Sequence, residues 1–470
     1  MHSLVPQVHV FRVNEAQLAL DVGSNNVFVL DDAGLWAVWR IASQRGFRVD
    51  GSYSPPQQPP PGAEQALAEA RSLVEQGLLF TDDPGDLAAE FLASKRGKHG
   101  PRALCLNIAH ACNMRCSYCF AGSGTYDGSA GIMSPEVAER AIDFLLEGSP
   151  GKQCEVDFFG GEPLLAWETL THAIEYGKRQ ASRKGKRLRF TCTTNGSLLT
   201  GEKLAFLDEN RVALVVSLDG RPQVHDRMRR TASGEGSFNQ CLCGAELVLK
   251  SRGLDNGGDE GYGSMGSYYI RGTYTAFNLD FCEDVRYLVG LGFKRVSLEP
   301  VVAHVGEEHA ITPDHLDAVA AEYDRLALYY TGEALEGRPF QYFHYELKLS
   351  DGPCVSKRLS GCGAGVEYMA VSPDGRLWPC HQFDGRSGYC LGDVWQGVIN
   401  RELHDRFRGL TVLSKEECRE CWARYLCGGG CHANAQEFTG SLEKPWQLGC
   451  EIQKIRLERA LYVQAKKQMK

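Results

Sequence analysis

No apolar run in this chain approaches the roughly 18 residues that a membrane span needs. Its first 30 residues alternate polar and apolar side chains instead of building a signal-peptide core. The expectation is a cytoplasmic protein with no membrane partner. Basic excess is missing too, because Lys+Arg total 51 against 59 Asp+Glu for a formal charge of -8. Without a broad positive field to hold a phosphate backbone, nucleic acid is not an expected partner. What the chain has in excess is cysteine, 18 in 470 residues. A disulfide framework does not explain so many thiols in a reducing compartment, whereas metal does. Cys112, Cys116 and Cys119 form one tight group and Cys418, Cys421, Cys427 and Cys431 another.

The N-terminal residues carry short alternating runs at Val8-His9-Val10-Phe11 and Val27-Phe28-Val29-Leu30, with a turn signal at Asp31-Asp32-Ala33-Gly34. A Pro-rich connection at 55–62 leads into an amphipathic helix through Ala66, Leu67, Ala70, Leu73, Val74 and Leu78, after which Leu78-Leu79-Phe80 reads as a returning strand. From Leu104 the grammar becomes strand, turn, helix. Strands are expected at 104–108, 155–159, 188–193, 213–217, 268–274 and 295–299, with helical periodicity at 135–146, 164–178, 200–209, 238–251, 280–291 and 314–330. This is α/β architecture, a parallel sheet with outer helices, closed or half closed like a barrel, with ligands at the strands' C-terminal ends. The Gly-rich stretch Gly253–Gly266 reads as a surface insertion. Beyond about 352 regular periodicity fades while cysteine and glycine rise, as in a domain organised by metal.

Cys112-Asn-Met-Arg-Cys116-Ser-Tyr-Cys119 directly follows the first expected barrel strand with spacing C-x3-C-x2-C. Three thiolates facing one centre hold three corners of a [4Fe–4S] cube and leave the fourth iron open. A zinc knuckle with a distant fourth ligand is the alternative reading. The motif, with an aromatic residue, Tyr118, just before its last cysteine, resembles the radical S-adenosylmethionine (SAM) superfamily. The resemblance implies that SAM chelates the open iron and is cleaved by one electron to a 5′-deoxyadenosyl radical, which makes Cys112, Cys116 and Cys119 the catalytic ligands. It also implies SAM contacts from Tyr118, from Gly160, Gly161 and Glu162 after strand two, and from Thr194 and Asn195 after strand three. Ser217 and Asp219 after strand four and Arg271 on strand five complete that set.

Toward the C-terminus, Cys362-x12-Gly375-x4-Cys380 precedes Cys418-x2-Cys421-x5-Cys427-x3-Cys431 and a late Cys450, a pattern that resembles the seven-cysteine SPASM domain. The resemblance implies two auxiliary [4Fe–4S] clusters, one on Cys354, Cys362, Cys380 and Cys431 and the other on Cys418, Cys421, Cys427 and Cys450, so three clusters in all. A pair of zinc sites, as in a zinc-binding interaction protein, is the alternative. Of the remaining cysteines, Cys105, Cys154 and Cys192 read as small core residues.

Within the superfamily the chain is similar to the thioether-forming maturases of six-cysteine (SCIFF) peptides. The similarity is carried by Leu106–Cys116, Asp157–Pro163, Ser297–Val302, Gly352–Leu359 and Pro379–Phe383. It implies a partial (β/α)6 TIM-like barrel at 100–335, an N-terminal winged-helix-like peptide-recognition module at 1–95, and a C-terminal SPASM domain at 350–470. It implies as substrate a small cysteine-rich precursor peptide, gripped by strand addition, with a flavodoxin or ferredoxin as electron donor. Formylglycine formation of the sulfatase type and carbon–carbon cross-linking are alternative outcomes for the same clusters. Asp226 and the run Arg227–Arg230 read as a solvated loop near the substrate mouth, and His381, beside Cys380, either tunes a cluster by hydrogen bonding or is simply exposed; none of them is assigned a catalytic part.

Overall fold

The computed structural model describes residues 7–51, 56–94, 100–126, 130–253, 267–347, 349 and 355–468. Residues 254–266 of the expected insertion and the candidate ligand Cys354 lie outside them. The chain divides into two compact units, Met1–Arg96 with Pro313–Gly361 and Leu410–Lys470, and Gly97–Thr312 with Cys362–Gly409.

In the first unit, β1 (Val8–Val13), β2 (Ala16–Asp21), β3 (Val27–Leu30) and β4 (Val49–Gly51) form a sheet of order β3-β2-β1-β4. The first three strands are antiparallel neighbours, and β4 runs parallel to β1. Helix α1 (Asp32–Arg45) starts where the Asp31 side chain accepts from the Gly34 N–H and stops at left-handed Gly46. The Asp31–Gly34 run is therefore a helix start and not the expected turn, since an extended Asp followed by an acidic first turn is N-cap chemistry. Helix α2 (Ala63–Glu75) lays Ala66, Leu67, Ala70, Leu73 and Val74 against a core that includes Val8, Val10, Leu35, Val38 and Ile41. Leu79 and Phe80 are buried in that core from a turn, not from the expected strand; Phe80 has φ 53, which no strand residue adopts. Helix α3 (Gly85–Ser94) follows.

Two later segments complete this unit. Helices Leu316–Leu335 and Gln447–Gln468 pack together, tied by Arg459 Nε to Asp324 at 2.9 Å. His9, 4% exposed, stacks on Trp422 with ring centroids 3.9 Å apart and lies 3.0 Å from Glu458 and 3.6 Å from Asp50. Burial, the largest single influence, lowers the imidazole pKa, but together the Asp50 and Glu458 carboxylates outweigh it and the net shift is upward.

The second unit is built on six parallel strands in the order β5-β8-β9-β10-β12-β13. They are β5 (Ala103–His110), β8 (Gln153–Gly160), β9 (Arg187–Thr194), β10 (Ala213–Ser217), β12 (Tyr268–Tyr274) and β13 (Arg295–Pro300). Two short strands, β6 (Met114–Cys116) and β7 (Gly131–Ile132), follow β5. Between strands run α4 (Pro135–Gly148), α5 (Trp167–Arg183), α6 (Gly201–Glu209), α7 (Pro222–Met228), α8 (Phe238–Arg252) and α9 (Phe281–Gly290). Helix α4 shows why they start where they do: Ser134 caps Val137 N–H and Pro135 takes the first turn, where its missing N–H is harmless. Cys105, Cys154 and Cys192 are buried core residues of these strands.

The free edge of β5 accepts Tyr368–Val371 in parallel, and the antiparallel strands Arg376–Trp378, Gly392–Asp393 and Gly397–Val398 extend the sheet. The compact units therefore cut across the expected spans 1–95, 100–335 and 350–470: strand pairing carries residues 362–409 to the parallel sheet, and helix packing carries 313–361 and 410–470 to the N-terminal sheet.

A group whose folded pKa is raised contributes stability that is complete below its ordinary pKa and is lost as pH rises through the folded value. His9→Ala is expected to cost about 3 kcal/mol, and the gap in thermal midpoint from the parent protein is expected to be widest below pH 6.5 and to narrow as pH rises above it.

Candidate active site

Where β5 ends, the chain turns through Cys112, makes the short strand β6 and reaches Cys119. Strand β11 (Arg229–Thr231) pins this loop by antiparallel pairing, with Arg229 opposite Cys116. The loop also leans on the turn after β8. Gly161 N–H donates to Ala109 O at 2.8 Å and Glu162 N–H to Ala111 O at 2.9 Å. A Cβ on Gly160 would stand 2.4 Å from Ala109 O, and one on Gly161 2.2 Å from Ala111 O and 3.0 Å from the Cys112 Cβ. Only glycine permits this approach.

The three thiols line a cavity of about 270 Å³ at the C-terminal ends of the parallel strands. Tyr118, Gly160, Gly161, Thr194, Asn195, Ser217 and Arg271 line it as well. Strand register explains the convergence, for Val216 pairs with Thr194, Ser217 with Arg271, and Thr273 with Glu299, which joins the wall.

Glu162 and Asp219, also expected at the SAM site, do not line the cavity. The Glu162 carboxylate is wholly buried and already accepts from Leu164 N–H at 3.0 Å, Thr194 Oγ1 at 2.7 Å and Asn195 N–H at 2.8 Å. Burial raises its pKa against the pull of these donors. Asp219, 1% exposed, accepts from Tyr118 OH at 2.5 Å, Arg229 Nε at 3.0 Å and Thr273 N–H at 2.9 Å. It ties the cysteine loop to β11 and β12. The expected solvated loop at Asp226 and Arg227–Arg230 is thus corrected, because Arg229 is drawn inward by the buried carboxylate and Asp226 accepts from Phe238 N–H at 2.8 Å.

Arg229 is the site residue that sequence reading missed, and a three-residue ladder offers no periodicity by which to find it. His381 also reaches the cavity, its ring 4.8 Å from Phe159 and 5.4 Å from Phe120, with Nδ1 3.2 Å from Tyr368 OH.

The donor set fits an iron–sulfur cluster. Burial pushes the Cys112 thiol up to about 12 and raises Cys116, so neither ionises readily until a cationic group binds. Among the described residues no three His, Cys, Asp or Glu side chains form a single-ion site; a cube holds its ligands apart by its own width, so a thiol-lined cavity is the matching geometry. In the other unit, Cys418, Cys421, Cys427 and Cys450 line a second cavity of about 220 Å³. Burial pushes Cys418 up to about 11 and Cys450 up to about 12, and raises Cys421.

A family model described as the radical SAM superfamily matches residues 106–239. This segment belongs to the radical SAM superfamily. The match spans most of β5, the cysteine loop and the strands through β11, which carry most of the cavity lining; Arg271, Thr273, Glu299 and His381 line the cavity from outside it. The superfamily implies one [4Fe–4S] cluster and SAM. Among similar proteins is a radical SAM cyclopropyl synthase, TigE, of Paramaledivibacter caminithermalis, 22% identical over 77% of this chain and 74% of its own. A cysteine-type anaerobic sulfatase-maturating enzyme of Clostridium perfringens (strain ATCC 13124) is 26% identical over 68% of this chain and 85% of its own. The solved structure of anSMEcpe with bound AdoMet and Kp18Cys peptide shares the fold at TM-score 0.63 and 21% identity, covering 78% of this chain and 99% of that one. No helix among the described residues is long and apolar enough to cross a membrane.

Asp219→Asn leaves the Arg229 guanidinium buried without its counter-charge. It is expected to lower the stability of the metal-free protein by about 3–5 kcal/mol, measured as a fall in thermal midpoint, with Asp219→Glu falling less.

Proposed function

We propose that the protein is a radical SAM enzyme that installs thioether cross-links, cysteine sulfur to carbon, in a small cysteine-rich ribosomal peptide. The observation that carries this reading is the pair of thiol-lined cavities, one at the mouth of the parallel sheet and one near the C-terminus. When bound, SAM and a cluster on Cys112, Cys116 and Cys119 supply a 5′-deoxyadenosyl radical able to take hydrogen from an unactivated carbon. Gly160 and Gly161 keep the cysteine loop in place, Tyr118 orders it through Asp219, and Glu162 holds Thr194 and Asn195 toward the cavity. Arg271, exposed within the cavity, offers a guanidinium to the SAM carboxylate, with Ser217 on the neighbouring strand. Phe120, Phe159 and His381 form an aromatic wall that limits water at the reacting carbon.

Each cross-link breaks one C–H and one S–H bond and forms one C–S bond, so two hydrogens leave and one electron must be received nearby. Cys418, Cys421, Cys427 and Cys450 hold an auxiliary cluster suited to receive it. The resemblance to SPASM domains implies a further auxiliary cluster on Cys354, Cys362, Cys380 and Cys431. The N-terminal module serves peptide recognition: β3 stands at a sheet edge with Val29 44% exposed, beside a cavity of about 580 Å³ lined by Phe28, Leu30, Ala66, Ala70 and Leu73. A leader strand added to β3 places apolar side chains there. A flavodoxin or ferredoxin is the proposed reductant.

Formylglycine formation is the second reading, favoured by the sulfatase-maturating relative. Incubation of the anaerobically reconstituted enzyme with SAM, dithionite and a six-cysteine precursor peptide separates the two by mass spectrometry. The thioether reading expects 5′-deoxyadenosine together with a peptide that lacks two hydrogens per cross-link and has alkylation-resistant thiols, and expects a leaderless peptide to react at a tenth of that rate or less. An aldehyde on a sulfatase-type peptide, with the cysteine-rich peptide unchanged, contradicts it.

A further inference from the structure

Among the described residues, Lys415, Lys454 and Arg424 act on the C-terminal cysteines, and two of them have carboxylate partners: Lys454 is 3.1 Å from Glu451, and Arg424 is 3.2 Å from Asp83. The third, Lys415, is different. It is 1% exposed, and its Nζ donates to Gly429 O at 2.9 Å and meets His432 Nδ1 at 3.3 Å, both neutral acceptors. No Asp or Glu pairs with it among the described residues. Burial, the largest influence, lowers its pKa, and the thiols that oppose burial when ionised are Cys418, Cys427 and Cys450, which line the cavity, and Cys431. A wholly buried lysine is rare, and an uncompensated buried ammonium is costly. Four thiolates around a cubane carry a net negative charge that grows by one on reduction, which is the counter-charge this ammonium lacks.

The backbone is shaped to bring the two together. Gly429, at φ 93, turns its carbonyl toward the lysine, and a Cβ built there would lie 3.9 Å from Nζ. Gly429 also lines the cysteine cavity. We propose that Lys415 is a positioning residue for charge: a fixed buried cation that raises the reduction potential of the auxiliary cluster on Cys418, Cys421, Cys427 and Cys450 and so fits that cluster to accept an electron. This rests on the proposed auxiliary cluster, and it concerns the one-electron equilibrium of that cluster with any external donor.

The test uses the full chain with Cys112→Ala, Cys116→Ala and Cys119→Ala, reconstituted anaerobically with iron and sulfide. It is titrated with dithionite through viologen mediators, and the EPR signal followed is the one that Cys421→Ala abolishes. At the midpoint of this parent, Lys415→Met is expected to cut the ratio of reduced to oxidised cluster at least tenfold, about 59 mV for one electron, whereas Lys415→Arg keeps it within about twofold. A Lys415→Met protein with full iron content and an unchanged midpoint overturns the inference. If Lys415→Met does not retain iron, isotope-labelled lysine decides instead: a nitrogen coupling to the reduced cluster that disappears in labelled Lys415→Arg supports the assignment, and identical spectra contradict it. A parent that binds no iron removes the auxiliary cluster itself, and the inference falls with that reading.

Discussion

The geometry at the mouth of the parallel sheet depends on how closely the turn after β8 approaches the end of β5. Gly161 lies where any Cβ would press within 2.2 Å of a carbonyl oxygen in the cysteine loop, and within 3.0 Å of the first cysteine. A larger residue there does not fit unless the backbone at Ala111 shifts. Two hydrogen bonds from the same turn, to Ala109 O and Ala111 O, make the contact directional. Fold and chemistry meet at this point, because a parallel sheet brings consecutive turns together at one end and three ligands carried by one loop need that loop held rigid.

Charge around the loop is arranged with the same economy. Asp219 and Glu162 are buried carboxylates saturated by donors from neighbouring strands, so they act as struts between strand ends. Tyr118 and Arg229 both end on Asp219, so the aromatic residue of the motif and the cation opposite Cys116 are set by one side chain. The resemblance to radical SAM proteins assigns both acids to SAM; their hydrogen bonds give them a different immediate task. The cavity wall itself takes Gly160, Gly161, small polar side chains and Arg271 from the strand ends, and Phe120, Phe159 and His381 as its aromatic side. Half-buried thiols with raised pKa values face it, poised to ionise against a cationic cluster.

Much of this was legible in the sequence because its signals are local and repeated. Apolar runs between helical stretches marked all six parallel strands within a few residues, and the cysteine spacing marked the loop. What was not legible depends on partners distant in sequence. Nothing in Arg229-Arg230-Thr231 announces that it pairs with Met114–Cys116, and nothing in Tyr368–Val371 announces that it extends β5. The run Asp31–Gly34 misled for another reason, since the same residue types start turns and cap helices, and only the helix that follows decides between them. Phe80 misled because an apolar triplet was read for strand propensity when its φ of 53 makes it a buried turn.

The central claim is that Cys112, Cys116 and Cys119 bind three corners of a cube and leave the fourth iron to SAM. Electron–nuclear double resonance on the reduced, reconstituted protein, with SAM labelled at its amino nitrogen, tests it most directly. The account predicts a nitrogen hyperfine coupling characteristic of direct coordination, absent when Cys116→Ala removes a ligand. A reduced cluster that shows no such coupling, with SAM recovered intact, contradicts it.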